Sequence, residues 1–377
     1  MGSSVDHTQR LPPEILSEIF LFASSSFWTR GMLSPRQIPL LLGQICRRWR
    51  SIALGTPRLW FRIQSWPKLP LSCLIPMVSV YIERSKPLPL KLSFDPRCDQ
   101  TLQDLFVNQS HRWGHISIEH LEIQLPSARP IISAFQNDGF EHLRTLELRV
   151  AGHIPGETRD IMFPNLRSLT LIASSTDPLR HFSTPRVKHL RLDHPYSYKA
   201  LEHIGSFLRR CCSTLACLEL ANVPVHDFEL ISLIRLVPRI VDLSIHCGQS
   251  RAITQALLSS LHSMKAERCL APKLKSLSLG GNLSASGDLL LDVIESRCGP
   301  TDGVCEFLRR VELHLVNPYD VRALTRLYAL LNNGMEVSVF KRVSRCLWYE
   351  RSSLFKWEQI DLVEDVHLLG IAGFTFF

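Results

Sequence analysis

The segment Leu143-Arg144-Thr145-Leu146-Glu147-Leu148 contains a six-residue pattern, apolar-x-x-Leu-x-apolar, that returns along the chain. Eight copies occur, seven of them with leucine at the fourth position, and successive copies start 21 to 34 residues apart. They begin at Ile118, Leu143, Leu166, Val187, Leu215, Ile240, Leu274 and Leu308. The alternation of apolar and other residues predicts a short strand with one buried face. The recurrence predicts that strands of successive copies stack, because one short strand cannot bury its apolar face alone.

The segments between these copies have helical apolar spacing. Helices are predicted at Tyr198–Arg210, Asp227–Leu236, Ala252–Met264 and Leu289–Ser296. The copies resemble leucine-rich repeats, and that resemblance implies an irregular α/β solenoid, or horseshoe, with the helices on its outer side. The asparagine usual at the ninth position of such repeats occurs only at Asn282. After the last copy, the sequence predicts a helix at Arg322–Asn332 and a strand at residues 337–340. Residues 361–377 are predicted to cap the open end of the stacked repeats.

The stretch from Leu11 to Trp60 predicts a compact group of helices ahead of the repeats. Its first helix begins at Pro13 and has one wide apolar stripe at helical spacing. The stripe contains Ile15, Leu16, Ile19, Phe20, Phe22 and Ala23. A second helix is predicted from Pro39 to Gly55, after which Thr56 can cap the next turn. Two short helices cannot bury this much apolar surface on each other, so part of it faces the rest of the chain or a partner.

Three motifs in this stretch resemble an F-box. They are Leu11-Pro12-Pro13-Glu14-Ile15-Leu16, Gln44-Ile45-Cys46-Arg47-Arg48-Trp49-Arg50 and Thr56-Pro57-Arg58-Leu59-Trp60, in the order of that family. The connection Ser24–Ile38 is longer than usual, which resembles fungal members of the family. The resemblance implies an all-α module that docks on a Skp-type adaptor and, through it, on a cullin. The residues assigned to this contact are Leu11, Pro12, Glu14, Ile15, Leu16, Ile19, Phe20, Leu41, Ile45 and Cys46.

Prolines between Pro67 and Pro89 mark a connection between the helical module and the repeats. Within it, Met77–Arg84 predicts a short helix and Leu88–Phe94 predicts a strand. The predicted domains are an F-box-like helical module at 1–66, this connection with the first strand and helix at 67–116, and a degenerate leucine-rich-repeat domain with its carboxy-terminal cap at 117–377.

Composition describes an ordinary globular protein of 377 residues, 45% apolar and 21% charged. No apolar run approaches the 18 residues of a membrane span, and the polar first ten residues do not resemble a secretory signal. The eleven cysteines lack a disulfide-like spacing and predict reduced thiols. A cytoplasmic or nuclear location, away from membranes, is therefore expected.

The net charge of +8 raises the alternative of nucleic-acid binding. Residues 1–62 contain eight arginines against three carboxylates, so they carry +5 and the remaining 315 residues carry only +3. Because the excess lies in the helical module, neither a long basic groove nor a nucleic-acid partner is predicted. A nucleic-acid-binding or general protein-interaction solenoid without a ubiquitin-ligase role remains the alternative interpretation.

The residues that could carry chemistry do not form a recognisable site. Gly280-Gly281-Asn282 lacks the lysine and hydroxyl of a phosphate loop and is interpreted as a repeat turn. The best metal candidates, Cys211, Cys212, Cys217 and His203, are split between a helix and a strand. His246 and Cys247 are adjacent on a predicted strand, where neighbouring side chains point to opposite faces. We therefore predict a non-catalytic protein without metal or cofactor, although an unrecognised hydrolase site stays open.

The two resemblances together imply the substrate-recognition subunit of a Skp–cullin–F-box ubiquitin ligase. The repeats would then bind an unknown target protein. In each copy the third and fifth residues project from the face of the strand opposite the apolar residues. The residues assigned to target binding are His120, Glu122, Thr145, Glu147, Thr170, His189, Arg191, Glu219, Asp242, Arg310 and Glu312. Carboxylates outnumber arginines among them, which favours a target segment that is basic or neutral.

Overall fold

A computed structural model gives the fold as two compact units, Met1–Arg149 and Val150–Phe377. The structure describes residues 10–26, 38–64, 70–122, 129–136, 140–151, 160–173, 176–193, 200–223, 226–247, 253–262, 269–281, 287–298, 305–315, 321–345 and 355–360. The predicted carboxy-terminal cap at 361–377 lies outside these residues. None of the helices in the described ranges is both long enough and apolar enough to cross a bilayer.

The first unit opens with helices and continues into a sheet. Its helices are α1 (Pro13–Ser26), α2 (Ile38–Ile45), α3 (Arg47–Leu54), α4 (Leu71–Arg84), α5 (Gln100–Val107) and α6 (Arg129–Gln136). Its strands are β1 (Arg62–Gln64), β2 (Leu90–Phe94), β3 (Trp113–Glu122) and β4 (Thr145–Ala151), in this order across the sheet. Strands β1, β2 and β3 are parallel. The predicted strand at Leu88–Phe94 is confirmed, with Leu90, Leu92 and Phe94 buried on one face.

Helix α4 is longer than the sequence predicts. The predicted start at Met77 follows from Pro76, which cannot donate a backbone hydrogen bond inside a helix. The structure nevertheless begins the helix at Leu71 and carries it through Pro76. Its buried face, formed by Leu74, Val78, Tyr81 and Ile82, spans three turns, and we attribute the tolerance of the proline to that packing.

The second unit has a parallel sheet in which each strand pairs with the next strand of that sheet along the chain, with β7 left out between β6 and β8. The sheet contains β6 (Ser168–Ala173), β8 (His189–Asp193), β9 (Cys217–Ala221), β10 (Asp242–Cys247), β11 (Ser276–Gly281), β12 (Arg310–Leu315) and β13 (Glu336–Arg345). Strand β14 (Phe355–Ile360) pairs antiparallel with β13, and among the described strands the sheet is not closed. A separate pair is formed by β5 (Ile161–Met162) and β7 (Phe182–Ser183).

Helices connect these parallel strands. They are α7 (Pro178–His181), α8 (Ala200–Cys211), α9 (Asp227–Arg235), α10 (Gln255–Leu261), α11 (Gly287–Ser296) and α12 (Val321–Asn332). Every helix predicted in this part of the chain is present, with ends shifted by at most a few residues. The core between the helices and the sheet is apolar. Each repeat contributes its first, fourth and sixth residues to this core, as Leu166, Leu169 and Leu171 do.

Strands of the second unit begin two residues after each predicted repeat start, as His189 does after Val187. The first predicted copy, at Ile118, is wrong by five residues. Strand β3 begins at Trp113, and the carbonyl of Gly114 accepts a hydrogen bond from Arg144 N at 2.8 Å. A backbone hydrogen bond of this kind joins the second residues of neighbouring copies. Arg144 is the second residue of its copy, so Gly114 is the second residue of the copy before it and Trp113 is the first. Tryptophan and glycine do not fit a leucine pattern, which is why the sequence missed this register.

A buried arginine joins two segments near the end of the second unit. The Arg297 guanidinium donates to the carbonyl oxygens of Leu261 at 2.7 Å and of Leu270 at 2.6 Å, and burial lowers its pKa to about 10. Its own carbonyl accepts from Leu308 N at 3.0 Å. These contacts bring the sulfur atoms of Cys269 and Cys305 next to each other. That the thiols are reduced stays a prediction for this pair.

Candidate protein-binding surfaces

The apolar stripe of α1 divides into a buried side and an exposed side. Leu16 and Phe20, four residues apart, are each only 1% exposed. Ile15, Ile19 and Phe22 follow a parallel line one residue away and are 48%, 46% and 74% exposed. A shift of one residue turns a helical side chain by about 100°, so the two lines face different surroundings. The helix therefore contributes to the core and still presents apolar surface.

The second predicted helix is two helices. Cys46 adopts an extended conformation with φ −156° and ψ 168°, and its Sγ accepts a hydrogen bond from Trp49 N at 3.4 Å. This cap ends α2 and starts α3, so the prediction of one continuous helix from Pro39 to Gly55 is wrong. On α2 the side chain of Leu42 is buried, whereas Leu41 and Ile45 are 41% and 59% exposed. A second pair of apolar residues at helical spacing thus faces outward.

Contacts among the helices hold this arrangement in place. The Phe20 and Trp49 rings lie 4.9 Å apart, so the half-buried Trp49 packs inside the helical group. Trp60 is buried and donates its Nε1–H to the carbonyl of Ala53 at 2.7 Å, which ties the turn after α3 to that helix. Thr56 does not cap this turn as predicted, because its hydroxyl donates instead to the carbonyl of Ile52 at 2.7 Å.

We use the term helical apolar face for Ile15, Ile19, Phe22, Leu41 and Ile45. Half of the large, strongly exposed apolar side chains in the described ranges belong to this set. Helices α1 and α2 contact each other, so the five residues lie on neighbouring elements. Exposed apolar residues grouped in this way mark a protein-binding surface more often than isolated ones do.

The residues assigned to adaptor contact fall into three groups in the structure. Ile15, Ile19, Leu41 and Ile45 belong to the helical apolar face. Pro12 and Glu14 are exposed beside it in sequence, while Leu11 and Cys46 are half-buried. Leu16 and Phe20 lie in the core, where a substitution would affect folding before it affected contact with a partner. Phe22 was absent from the assignment although its spacing from Ile15 and Ile19 places it on the same line.

A second candidate surface is the face of the parallel sheet in the second unit that lies opposite the apolar core between sheet and helices. We call it the outer face of the parallel sheet. Strand pairing aligns the third residues of the repeats across the sheet, with His189 opposite Cys217 and Cys217 opposite Asp242. It aligns the fifth residues in the same way, with Thr170 opposite Arg191 and Arg191 opposite Glu219. These side chains are half-buried or exposed while the residues between them are buried. The predicted direction of the third and fifth positions is confirmed for these strands.

Ion pairs connect the predicted target-binding residues on β8 and β9. Arg191 contacts Glu219 at 2.7 Å and Asp193 at 3.6 Å. The amide of Asn222 donates to Asp193 at 3.0 Å. Arg191 thereby lies between carboxylates of two adjacent strands, and a target would compete with this network for the same charges.

The seventh residues of the repeats form a third row that the sequence assignment missed. Strand pairing places His246 opposite Gly280, Gly280 opposite His314, and His314 opposite Phe340. The rings of His314 and Phe340 stack at 4.2 Å, and those of His246 and His314 lie 5.0 Å apart. His246 Nε2 lies 2.9 Å from the hydroxyl of Ser278. The signal was available, because the alternation that gave the third and fifth positions continues to the seventh.

Electrostatics in this row favour a neutral His246 beside an ionised Glu312. Burial and the neighbouring His314 lower the pKa of His246 to about 4. Burial raises the pKa of Glu312, but the hydrogen bond from His314 at 2.7 Å and the charge of Arg310 outweigh it, so its pKa lies below the ordinary value. Arg310 contacts the same carboxylate at 3.2 Å. The predicted residues Arg310 and Glu312 are thus brought together.

The predicted target-binding residues of the first unit lie on two strands. Thr145 and Glu147 are half-buried on β4, at the third and fifth positions of their repeat. His120 and Glu122 lie near the end of β3, since the true repeat there begins at Trp113. The third position of that repeat belongs to His115, which pairs with Lys91 of β2. Burial, Lys91 and Arg62 lower the pKa of His115 to about 4.

The cysteines considered as metal ligands have other surroundings. Cys211 is buried and donates to the carbonyl of Leu208, and His203 lies 3.2 Å from both Thr176 and Asp177. Burial and nearby carboxylates raise the pKa of Cys217 to about 11, which keeps its thiol protonated near neutral pH. In the part of the chain that the structure describes, no three His, Cys, Asp or Glu side chains group as metal ligands would. Gly280 and Gly281 lie within β11, so their interpretation as a turn is wrong.

Comparison with known families identifies the helical module. Residues 8–64 match the family model described as F-box-like, which covers α1, α2, α3 and β1. The chain therefore contains an F-box-like domain, and the helical apolar face lies within it. No curated protein matches the chain.

Proposed function

We propose that this protein is the substrate-recognition subunit of a Skp–cullin–F-box ubiquitin ligase. The F-box-like domain would dock on a Skp-type adaptor through its helical apolar face and, through that adaptor, join a cullin. The repeats would act as a leucine-rich-repeat solenoid that holds the target. The protein would form no covalent intermediate itself, and its contribution would be to keep the target near the transferring enzyme. Such a role places it in the cytoplasm or the nucleus.

The observation that carries this proposal is the exposed apolar surface on α1 and α2. Ile19 and Ile45 are each about half exposed within a domain matched by the F-box-like family. Leaving such side chains in water is unfavourable by about 25 cal/mol for each Å² of apolar area, and a partner that covers them recovers this free energy. F-box domains typically bind Skp-type adaptors, which are the partners expected to cover this face.

The test is a pull-down of a purified Skp-type adaptor with the full chain and with Ile19→Lys. A charge placed in a buried contact should cost roughly 2–4 kcal/mol, which weakens binding about 30-fold or more. Because Ile19 is half exposed in the free chain, the variant should keep its fold. Phe228→Lys is the matched control, since Phe228 is also exposed and apolar but lies on α9 of the second unit.

Two results would contradict adaptor docking. The first is full adaptor recovery with a folded Ile19→Lys protein. The second is equal loss of adaptor with Phe228→Lys, because that outcome would indicate nonspecific apolar association.

For the target, we propose the outer face of the parallel sheet. Its three rows are in register over adjacent strands. Apart from Cys217, the third and fifth residues that project from the second unit's repeats are charged, hydroxyl-bearing or aromatic. The double variant Arg191→Ala and Glu219→Ala should change the set of proteins captured by the complex, as measured by mass spectrometry. Adaptor binding should stay intact. An unchanged set of captured proteins would move target binding off this face.

A further inference from the structure

A strip of basic side chains runs along the edge of the second unit where its strands begin. We define the strand-entry turns as the four residues before β6, β8, β9, β10, β11 and β12, namely 164–167, 185–188, 213–216, 238–241, 272–275 and 306–309. These turns carry seven cationic side chains: Arg167, Arg186, Lys188, Arg239, Lys273, Lys275 and Arg309. Glu306 is their one carboxylate. All seven cations are exposed except Lys275, which is half-buried.

Backbone hydrogen bonds hold these turns side by side. Lys188 N donates to the carbonyl of Arg167 at 2.8 Å, Ala216 N to that of Lys188 at 2.9 Å, and Arg309 N to that of Lys275 at 2.7 Å. Neighbouring strands lie about 4.8 Å apart, so the six turns extend over about 24 Å. The spacing of the cations is therefore fixed by the sheet and does not depend on loop conformation.

The one turn without a cation is covered by its neighbour. Residues 213–216 are Ser-Thr-Leu-Ala, but the guanidinium of Arg239 reaches the carbonyl of Ser213 at 3.5 Å. At the other end of the strip, Arg186 donates to the side chain of Asn165 at 2.8 Å. Positive charge is thus present along the whole edge, from the turn before β6 to the turn before β12.

A carboxylate of the chain itself already binds to this strip. Glu306 contacts Lys275 at 3.0 Å, and this hydrogen bond, together with the charges of Lys275, Lys273 and Arg309, lowers the pKa of Glu306. The backbone N–H of Glu306 donates to the carbonyl of Pro272 at 2.7 Å, which positions the side chain beside these cations. The cations of the strip therefore already hold one carboxylate, that of Glu306, beside Lys275.

We infer that the strand-entry turns of the second unit bind a carboxylate-rich, extended segment of a partner protein. The strip is only one turn deep, because the strand residues that follow it are net acidic. They carry the carboxylates of Asp193, Glu219, Asp242 and Glu312 against the two arginines Arg191 and Arg310. A narrow acidic chain can lie along the turns without meeting them. A nucleic-acid duplex is wider than the strip and would approach these carboxylates, which repel its phosphates. This surface is separate from the helical apolar face and does not depend on adaptor docking.

The probe is a fluorescently labelled peptide of eight glutamates, about 26 Å long when extended. Its binding to the full chain is followed by anisotropy at low salt, beside a single-stranded oligo-dT of eight nucleotides. The triple variant Arg186→Gln, Lys188→Gln and Lys273→Gln should weaken peptide binding about tenfold, since each exposed pair contributes a fraction of a kcal/mol. The matched control is Arg180→Gln, Arg209→Gln and Arg235→Gln, which removes three exposed charges from helices of the same unit and should change binding less than twofold.

Glu306→Gln provides a variant with the opposite expected sign. Removing the chain's own carboxylate frees Lys275, so peptide binding should strengthen severalfold, an effect that misfolding cannot imitate. The inference is overturned if the peptide does not bind, if the control triple variant loses as much affinity as the strip variant, or if Glu306→Gln leaves affinity unchanged. It is also overturned if oligo-dT binds more tightly than the peptide and loses affinity in the strip variant, because the strip would then recognise phosphates.

Discussion

The variant Gly280→Ala tests whether β11 requires a glycine at position 280 because the ring of His246 occupies the space that a Cβ atom would fill. A Cβ built on Gly280 would lie 2.3 Å from Nδ1 of His246 and 3.0 Å from two of its ring carbons. Ordinary contact begins near 3.4 Å, so the ring would have to move by about 1 Å or rotate away. Either movement would break the 2.9 Å hydrogen bond between His246 and Ser278. Overpacking costs about 1–3 kcal/mol and the lost hydrogen bond about 1 kcal/mol, so we expect a loss of about 2–4 kcal/mol.

Hydrogen exchange of the amides in β10 and β11 measures this loss locally, without assuming that the two units unfold together. The control is the same change in a His246→Ala background, where the ring is absent. There Gly280→Ala should cost little, and the difference between the two backgrounds is the coupling energy of the pair. An equal cost in both backgrounds would refute the steric explanation, and no cost in either would show that the ring adjusts freely.

Two further predictions concern Trp49 and His246. Trp49→Ala should destabilise the F-box-like domain by about 2–4 kcal/mol, because its ring packs on Phe20, and exchange in α1 and α3 should rise. If that variant keeps its stability but loses the adaptor, Trp49 belongs to the interface instead. For His246, the folded pKa of about 4 lies below the unfolded value of about 6.5, so the unfolded chain binds the proton more readily and stability falls as the pH drops through this window. His246→Gln should reduce the loss between pH 7 and pH 5 by about 1–2 kcal/mol in denaturation experiments, whereas an identical pH dependence would exclude this role for the ring.

Much of the fold was predictable because its strands repeat a simple alternation. Leucine-like residues at the first, fourth and sixth positions of each copy fix which face is buried, and the strand starts followed from them. The exception was β3, where Trp113 takes the first position and Gly114 the second. A tryptophan ring at the first position is buried as a leucine side chain would be, so the strand is stabilised in the same way. The sequence no longer matches the leucine motif, however, and the copy is not recognised.

The helical module was predictable in its elements but not in its orientations. The spacing in α1 predicted one wide stripe, yet the packing of the helices, which places Phe20 against Trp49, leaves Phe20 buried and Ile19 exposed. The break at Cys46 could not be read from apolar spacing, which continues across it. Cysteine is also not among the preferred residues for starting a helix, so its sulfur cap gave no sequence signal.

The row of His246, His314 and Phe340 on the sheet face was missed for a different reason. His246, His314 and Phe340 come from strands that are far apart in sequence, and their contacts depend on the register between strands. The positions followed from continued alternation, but the stacking of His314 on Phe340 needed the pairing of β12 with β13. The contact between Cys269 and Cys305 was missed in the same way, because the buried Arg297 that joins their segments is not indicated by a local pattern.

The order of strands in the second unit has a consequence for how the chain folds. From β9 to β13 each strand pairs with the one synthesised immediately before it, so most contacts join residues only a few tens of positions apart. Low sequence separation between contacting residues lowers the entropy lost in closing each loop and speeds folding. Each new strand leaving the ribosome can therefore add to a template that is already formed. The antiparallel β14 follows β13 along the chain, so the edge of β13 stays unpaired until β14 has been synthesised.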